Sequence, residues 1–145
     1  MKKSLLVEAD GGPLAAVIAG ANVHDTKLLA KTLAAVVGSR PAPTPEAPQH
    51  LCLDKGYDNP TGYQAVADQH FLPQIRRIGE EKLDPQREKT FPARRWVVER
   101  TLAWLSKCRA LLVRYDKRSS NYLALLKLAC TLLWYRRLWR LQLLR

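Results

Sequence analysis

Cysteine is scarce in this chain, and its few cysteines form no recognisable motif. Only three occur among 145 residues, at Cys52, Cys108 and Cys130, and no two of them share a C-x-x-C spacing. This spacing disfavours a zinc site, and the odd number disfavours a disulfide framework. We predict that all three are small, buried and reduced side chains.

The signatures of several enzyme and membrane classes are missing as well. The sequence contains neither a glycine-rich phosphate loop nor a G-x-S-x-G nucleophile motif. Its longest apolar run, residues 123–135, is interrupted by Lys127 and is shorter than the roughly 18 residues that suggest a membrane span. Glu8 and Asp10 break the apolar run behind the basic amino terminus, unlike in a signal peptide. We therefore expect a soluble cytoplasmic protein without a membrane partner.

Acidic residues are nearly absent from the carboxyl-terminal part of the chain. Residues 1–85 hold nine Lys and Arg against ten Asp and Glu, whereas residues 86–145 hold 15 against three. The net charge of +11 therefore arises wholly from the second region. Such an excess indicates a polyanionic partner, and nucleic-acid phosphate is the commonest one. The alternative is a solvated, arginine-rich helical surface.

The first part of the chain has the pattern of an α/β protein. Residues 4–7 and 14–19 are apolar and flank the turn signal Ala9-Asp10-Gly11-Gly12-Pro13, which predicts a β-hairpin with both faces buried. A helix capped by Asp25 or Thr26 should follow. The order of elements further along predicts a small mixed sheet flanked by helices.

A proline-rich connector separates the hairpin and helix from a second strand. Residues 38–49 contain four of the nine prolines and predict an extended, solvated segment. The apolar residues 51–53 predict a strand that runs directly into Asp54. Asn59 should cap a following helix with Pro60 at its first position, and residues 72–75 predict another short strand.

Residues 93–145 are predicted to form a basic helical part. Apolar spacing indicates a helix to about residue 111 with a buried stripe made of Val97, Thr101, Trp104 and Cys108. Ser119-Ser120 should cap a last long helix that reaches about residue 141, and its apolar first half should be buried. The charged residues 79–92 show no periodicity.

Two acids stand where chemistry is plausible, although each also has a structural explanation. Asp54 follows an apolar strand, the place that catalytic groups of α/β sheets favour, but Asp close to Gly is common in turns. Glu99 lies in a basic helix, where an ion pair with Arg95 is the alternative. His24-Asp25 suggests an acid–base pair, but a helix cap explains it better.

The combination of motifs is more specific than any one of them. The sequence resembles the DDE transposases of insertion sequences, which have an RNase-H-like catalytic domain, over residues 4–138. The likeness rests on five motifs in one order: Gly20-Ala21-Asn22-Val23-His24-Asp25, Leu53-Asp54-Lys55-Gly56-Tyr57-Asp58, Arg95-Trp96-Val97-Val98-Glu99-Arg100-Thr101-Leu102-Ala103-Trp104-Leu105, Arg114-Tyr115-Asp116-Lys117 and Leu128-Ala129-Cys130.

The resemblance implies DNA transposition, a form of recombination, by Mg²⁺-dependent phosphoryl transfer. In the family, two Asp and one Glu bind two Mg²⁺ ions, which activate a nucleophilic oxygen and stabilise the leaving oxygen. The match makes Asp54 and Glu99 the second and third of these catalytic, metal-binding acids. It places Arg95, Tyr57 and Asp58 around them as supporting residues.

The chain departs from the family pattern in two places. Around Glu99, the family's Tyr position is Pro92 and its Lys position is Ser106, with Lys107 beside it. The family's first Asp lies on a central strand that precedes the hairpin opening this chain, and neither Glu8 nor Asp10 matches it. We therefore expect residues 1–145 to be a partial RNase-H-like domain with little or no strand transfer of its own.

This departure leaves the partners and the function open between three hypotheses. In the first, an upstream-frame transposase product or self-association completes a catalytic domain acting on transposon ends and target DNA at the bacterial nucleoid. In the second, a non-catalytic fragment binds DNA and modulates or inhibits the full transposase. Trp96 and Trp104 could then stack on an exposed base, although their helical spacing favours a core position. In the third, the chain is an inert remnant. The predicted DNA-binding residues are Arg94, Arg100, Lys107, Arg109, Arg114, Lys117 and Arg118.

Overall fold

The computed structural model describes residues 1–75 and 94–144 of the chain. The predicted irregular segment 79–92 lies outside the described residues. The elements, in chain order, are β1 (Lys2–Val7), β2 (Pro13–Ala19), α1 (Asp25–Ala34), β3 (His50–Leu53), a 3-10 turn (Lys55–Tyr57), α2 (Pro60–Ala67), β4 (Leu72–Ile75), α3 (Arg95–Ser106), α4 (Arg109–Leu112) and α5 (Ser119–Arg140).

The predicted hairpin is confirmed. Strands β1 and β2 pair antiparallel from Lys2 opposite Ala19 to Leu6 opposite Ala15, with an irregularity in register after Leu6. The turn is closed by the Gly11 N–H, which donates to the Glu8 carbonyl over 2.9 Å. Gly11 has a φ of 94°, a conformation that other residues adopt only at a cost, so the Gly-Gly pair allows the reversal.

The two faces of β1 pack into different clusters, because successive side chains of a strand point to opposite sides. Leu5 packs on the helical core, which is formed by Ala16, Leu105, Leu111, Tyr122, Leu126, Ala129 and Cys130. Leu6 packs on the α1 core, which is formed by Leu29, Leu33, Leu51, Ala65 and Val66. The hairpin is therefore covered on both faces, as predicted.

Strands β3 and β4 form a second sheet. They pair in parallel, with His50 opposite Leu72 and Leu53 opposite Ile75, and α2 connects them. Asn59 caps α2 as predicted, since its Oδ1 accepts the Gly62 N–H over 2.9 Å and Pro60 occupies the first turn.

The predicted small mixed sheet, which lacks its central strand, appears in the described residues as two separate pairs of strands. In residues 1–75 and 94–144, β1 pairs with β2 alone and β3 with β4 alone, which gives two separate two-stranded sheets. The separation falls between the hairpin and β3, where the family resemblance places a central strand. Pairing between these sheets would require a strand in that position.

The predicted connector is confirmed, whereas the predicted cap of α1 is not. Residues 38–49 contain no helix or strand, as predicted, and Arg40 fixes them by lying 4.1 Å from the Phe71 ring centre and donating to the Gln69 carbonyl. The prediction that Asp25 or Thr26 caps α1 is wrong, because His24 is the cap and its ring accepts from the backbone N–H of Thr26.

Helix α3 is shorter than predicted, which changes the environment of two residues. It ends at Ser106, and Cys108 becomes the residue that precedes the short helix α4. The predicted stripe is therefore buried only at Val97 and Thr101, whereas Trp104 and Cys108 are exposed. The prediction that the cysteines are buried is correct for Cys130 alone. Burial raises the pKa of the Cys130 thiol to about 11.

Helix α5 is confirmed, but its cap and its burial differ from the prediction. Arg118 takes the cap position in place of Ser119 or Ser120, with no capping side-chain hydrogen bond. One face of the helix is buried, whereas Leu128 and Leu132 are about half exposed on the other. The first half of the helix is therefore buried on one face only, although its residues are apolar nearly all round. None of the described helices is long and apolar enough to cross a membrane.

Candidate functional site

Asp54 is positioned by the end of β3. The strand stops at Leu53, and the exposed carboxylate of Asp54 accepts the backbone N–H of Lys55 over 2.6 Å at the start of the 3-10 turn. A carboxylate just beyond the carboxyl end of a parallel strand points away from the sheet toward bound ligand. The turn fixes its direction, because the side chain is tied to the backbone that follows.

A second carboxylate lies close to the same turn. The pKa of the Tyr57 phenol is raised, first by burial and then by the negative charges of Asp25 and Asp54. Both acids therefore flank one half-buried ring. Asp25 also forms an ion pair with Lys2 at 3.1 Å, so it connects the start of α1 to the start of β1. The sequence suggests a capping role for Asp25 and gives no sign of this proximity.

Asp58 supports the helix that follows the turn. Its carboxylate accepts a hydrogen bond from the Tyr63 hydroxyl over 3.0 Å, and its backbone N–H donates to the Lys55 carbonyl. Asp54, Tyr57 and Asp58 are thus grouped in one segment between β3 and α2, as their spacing in the sequence requires.

Glu99 lies in a different part of the molecule from the segment between β3 and α2. It is exposed on α3, a helix that contacts β1, α4 and α5, and Arg95 is the first residue of that helix. Among residues 1–75 and 94–144, no three Asp, Glu, His or Cys side chains are grouped closely enough to bind a metal ion. The described residues therefore supply separate acids and not a complete metal site.

Two of the predicted DNA-binding arginines donate hydrogen bonds to backbone carbonyls of the protein. The Arg100 guanidinium lies between the rings of Trp96 and Trp104, at 4.6 and 4.9 Å from their centres, and donates to the Asp10 carbonyl over 2.8 Å. Arg114 donates to the backbone carbonyls of Asp116 and Lys117, each over 2.7 Å. Six members of the predicted set are exposed: Arg94, Lys107, Arg109, Arg114, Lys117 and Arg118. Arg114 differs from the other five in that its guanidinium is held by the backbone of its own segment.

The tryptophans beside Arg100 are on the surface and not in the core, with 54% of Trp96 and 38% of Trp104 exposed. Stacking of the cation on both rings explains their position, since each indole face contacts the guanidinium without entering the core. The preference for a core position is therefore wrong for these two residues.

The hairpin turn is the docking point of the helical part. The Glu8 carboxylate accepts from the backbone N–H groups of Gly12 and Asp10 and from Arg137. Partial burial opposes its charge, but these donors outweigh burial and lower the pKa of Glu8. Asp10 also pairs with Arg137 at 3.0 Å. The two hairpin acids thus have a structural role.

Two further hydrogen bonds fix the same turn. The Thr101 hydroxyl, fully buried, donates to the Gly11 carbonyl over 2.9 Å. The Trp134 indole N–H donates to the Pro13 carbonyl over 2.7 Å. Helices α3 and α5 are therefore joined to the amino-terminal hairpin by side chains from both.

An open depression at the end of α5 contains residues that the sequence does not predict as functional. Its volume is about 930 Å³. The signal in the sequence is an aromatic residue followed by an arginine, repeated at a spacing of four residues. The lining residues are Tyr135, Arg136, Trp139, Arg140, Gln142 and Leu144.

Comparison with known proteins decides the family. A family model described as "Transposase DDE domain" matches residues 1–134. The chain is a member of the DDE transposase family. It is 35% identical over 135 residues to a Burkholderia cepacia protein named "Putative transposase for insertion sequence element IS402". The resemblance to insertion-sequence DDE transposases is therefore confirmed.

The alignment covers 91% of this chain and 61% of the Burkholderia relative, so the chain spans about three fifths of that protein's length. No solved structure matches the chain. The family assignment accordingly rests on the sequence, and the α/β architecture with small sheets and flanking helices is compatible with it.

Proposed function

We propose that this chain is the larger part of an RNase-H-like transposase domain that cleaves and joins DNA by phosphoryl transfer, with Asp54 and Glu99 as two of its three acids. The family match supports transposition in general. The observation that carries the catalytic assignment is the exposed carboxylate of Asp54, held directly beyond the end of β3 by the 3-10 turn. Such a position suits a ligand of a hard cation.

The cofactor that we propose is Mg²⁺. Carboxylate oxygens are the ligands that this ion prefers, so Asp54 and Glu99 fit it chemically. When bound, a pair of such ions activates the attacking oxygen and stabilises the leaving oxygen. Among the described residues, neither Asp54 nor Glu99 belongs to a group of three side chains that could bind a metal ion. Following the family resemblance, the third carboxylate comes from a further polypeptide segment.

We infer that this segment is a strand placed between β1 and β3. Leu6 of β1 and Leu53 of β3 both pack against the α1 core, so the two strands border one cluster. Within residues 1–75 and 94–144, each of them pairs on one side only. A strand in the gap would satisfy both sets of backbone groups. An upstream-frame transposase product or a longer form of the same polypeptide could supply it, and the chain alone should show little strand transfer.

The neighbouring residues have supporting roles in this proposal. Tyr57 and Asp58 keep the segment after β3 in place, and Arg95 is one turn before Glu99 on α3. The exposed cations Arg94, Lys107, Arg109, Lys117 and Arg118 bind phosphates of transposon ends and target DNA at the nucleoid. Arg100 and Arg114 act through the protein, because their guanidinium groups are engaged there.

The test is cleavage of transposon ends by a reconstituted full-length transposase that contains this chain. Asp54→Asn and Glu99→Gln should each abolish Mg²⁺-dependent cleavage, since each removes a metal ligand while preserving side-chain shape. Asp68→Asn is the matched control, because its carboxylate is exposed at the end of α2 and accepts a hydrogen bond from the neighbouring Gln64. Normal cleavage by both site variants would refute the catalytic assignment.

A second function is favoured by the exposed cations of the helical part. The chain alone would bind DNA without cleaving it and would modulate the full transposase. Five phosphate contacts predict that affinity falls about 500-fold between 50 and 200 mM salt, from a logarithmic slope of roughly −0.9 for each contact. Asp54→Asn should leave this binding unchanged. A flat salt response would contradict the DNA-binding role.

A further inference from the structure

The last turns of α5 have two faces with different surroundings. Trp134 and Arg137 bind the hairpin turn, through the Pro13 carbonyl and through the carboxylates of Glu8 and Asp10. The residues next to them in sequence, Tyr135, Arg136, Trp139 and Arg140, line the open depression instead. The hairpin thus fixes the helix while this second face stays exposed.

The aromatic side chains of this face form a platform. Tyr135 and Trp139 are one helical turn apart, with ring centres separated by 6.3 Å and planes inclined by 28°. Tyr135 is 52% exposed and Trp139 is 63% exposed. Two large rings held in a stacked arrangement and open to solvent offer area to a flat ligand.

The charge beside the platform has one sign. Arg136 and Arg140 line the same depression, one turn apart. Residues 117–145 contain seven Lys and Arg and no acid. The nearby acids Glu8 and Asp10 are bound by Arg137 on the opposite face. Within residues 1–75 and 94–144 no acid pairs with Arg136 or Arg140. The depression therefore presents aromatic surface next to two cations, which suits a flat group that carries phosphate.

The chain after α5 turns back over the depression. Gln142 has a φ of 57°, its N–H donates to the Trp139 carbonyl, and the Leu143 N–H donates to the Leu138 carbonyl, both over 3.0 Å. This is the Schellman arrangement that ends many helices, although Gly usually occupies the left-handed position. It brings Gln142 and Leu144 to the rim, where the amide can hydrogen-bond the edge of a base.

We propose that this depression binds single-stranded DNA by stacking an unpaired base on Tyr135 and Trp139 while Arg136 and Arg140 contact the adjacent phosphates. The proposal rests on DNA being the partner proposed above. A duplex hides the faces of its bases, so it can use the arginines but not the rings. A second copy of the chain that uses the same face is disfavoured as the occupant, because it would bring two sets of arginines together.

The experiment compares binding of a labelled oligothymidylate of about ten nucleotides with binding of a duplex, by fluorescence anisotropy. Trp139→Ala should weaken binding of the single strand by about 5- to 150-fold, the range expected for the loss of one stacked base. Trp139→Phe should retain most of the affinity, and duplex binding should not change. Tyr115→Ala is the control, because Tyr115 is 82% exposed in the basic helical part but outside the depression.

Other outcomes would overturn the inference. Equal losses on the single strand and the duplex would mean a general phosphate contact, and unchanged binding would mean that the rings are not used. If sedimentation shows that Trp139→Ala dissociates a dimer while oligothymidylate affinity is kept, a second copy covers this face. If the unmodified chain binds neither DNA, the partner proposed above fails as well. Failure of the Asp54 and Glu99 test alone would leave the stacking site standing.

Discussion

The two sheets of this protein differ in how they are held. The β1–β2 sheet has strands of six and seven residues, is covered on both faces and is bound at its turn by α3 and α5. The β3–β4 sheet has two parallel strands of four residues, and its buried side chains belong to the α1 core. A parallel pair this short is marginal without a neighbouring strand.

The sheet with the weaker support carries the proposed catalytic acid. Asp54 follows β3, whereas the acids of the better-supported hairpin, Glu8 and Asp10, are used in docking. The β1–β2 sheet thus has a structural role, and the β3–β4 sheet carries the proposed site. Substitutions that affect one sheet and not the other test this division.

The largest effect is expected from matched cavities in the two cores. Leu126 is fully buried in the helical core and Leu33 is 2% exposed in the α1 core. Leucine-to-alanine substitution at such sites lowers the free energy of unfolding by about 2–5 kcal/mol. Because all four tryptophans lie between residues 96 and 139, their fluorescence follows the helical core, whereas circular dichroism follows the whole chain.

We expect Leu126→Ala to lower the denaturation midpoint by both probes and Leu33→Ala to lower it more by circular dichroism than by fluorescence. The physical reason is that the α1 core joins two sheets that do not pair with each other. Identical shifts by both probes for both variants would show a single cooperative unit and would remove the distinction between the sheets.

A smaller effect is expected at the docking point of the hairpin. A Cβ atom on Gly12 would lie 2.4 Å from the Trp134 ring, so Gly12→Ala must displace that indole and its hydrogen bond to Pro13. Such overpacking costs about 1–3 kcal/mol of unfolding free energy. Gly56→Ala is the control, because a Cβ there meets nothing within 4 Å. Equal denaturation midpoints for both variants would mean that α5 does not depend on this contact.

The smallest effect concerns the pH dependence of the same contact. The pKa of Glu8 is lowered below its ordinary value of 4.5 in the folded state, so its contribution is full above that value and is lost as the pH falls through the lowered pKa. Glu8→Gln should lower stability at neutral pH by less than about 1 kcal/mol and weaken the acid dependence. Thermal melts from pH 7 to pH 3 measure this, and parallel curves for both proteins would contradict it.

Local features were predictable from the sequence. The Gly-Gly turn, the cap at Asn59 with Pro60 and the short strand after Phe71 depend on residues next to each other, and all three are confirmed. The family motifs also identified the family. Positions set by side-chain packing were not predicted: α3 ends at Ser106 and leaves Cys108 exposed, and Trp96 stacks on Arg100 instead of entering the core.

The candidate site shows the same limit. The spacing of Asp54, Tyr57 and Asp58 already requires them to share one segment, and the structure adds that Asp25 approaches it. The four-residue spacing of Trp96, Arg100 and Trp104 is visible in the sequence, but the hydrogen bonds of Arg100 and Arg114 to backbone carbonyls are not. The depression at the end of α5 depends on which helix face the hairpin covers, and that face is chosen by Glu8 and Asp10.

The contact between the hairpin turn and α5 joins residues 8–13 to residues 134–137, near opposite ends of the chain. A ribosome makes the hairpin before α5, at roughly 5–20 residues per second. During the interval between them, the hairpin face that carries Leu5 has no helix to cover it. The nascent chain is therefore open to premature association until α5 has been made, and chaperones have their greatest opportunity to bind it in that interval.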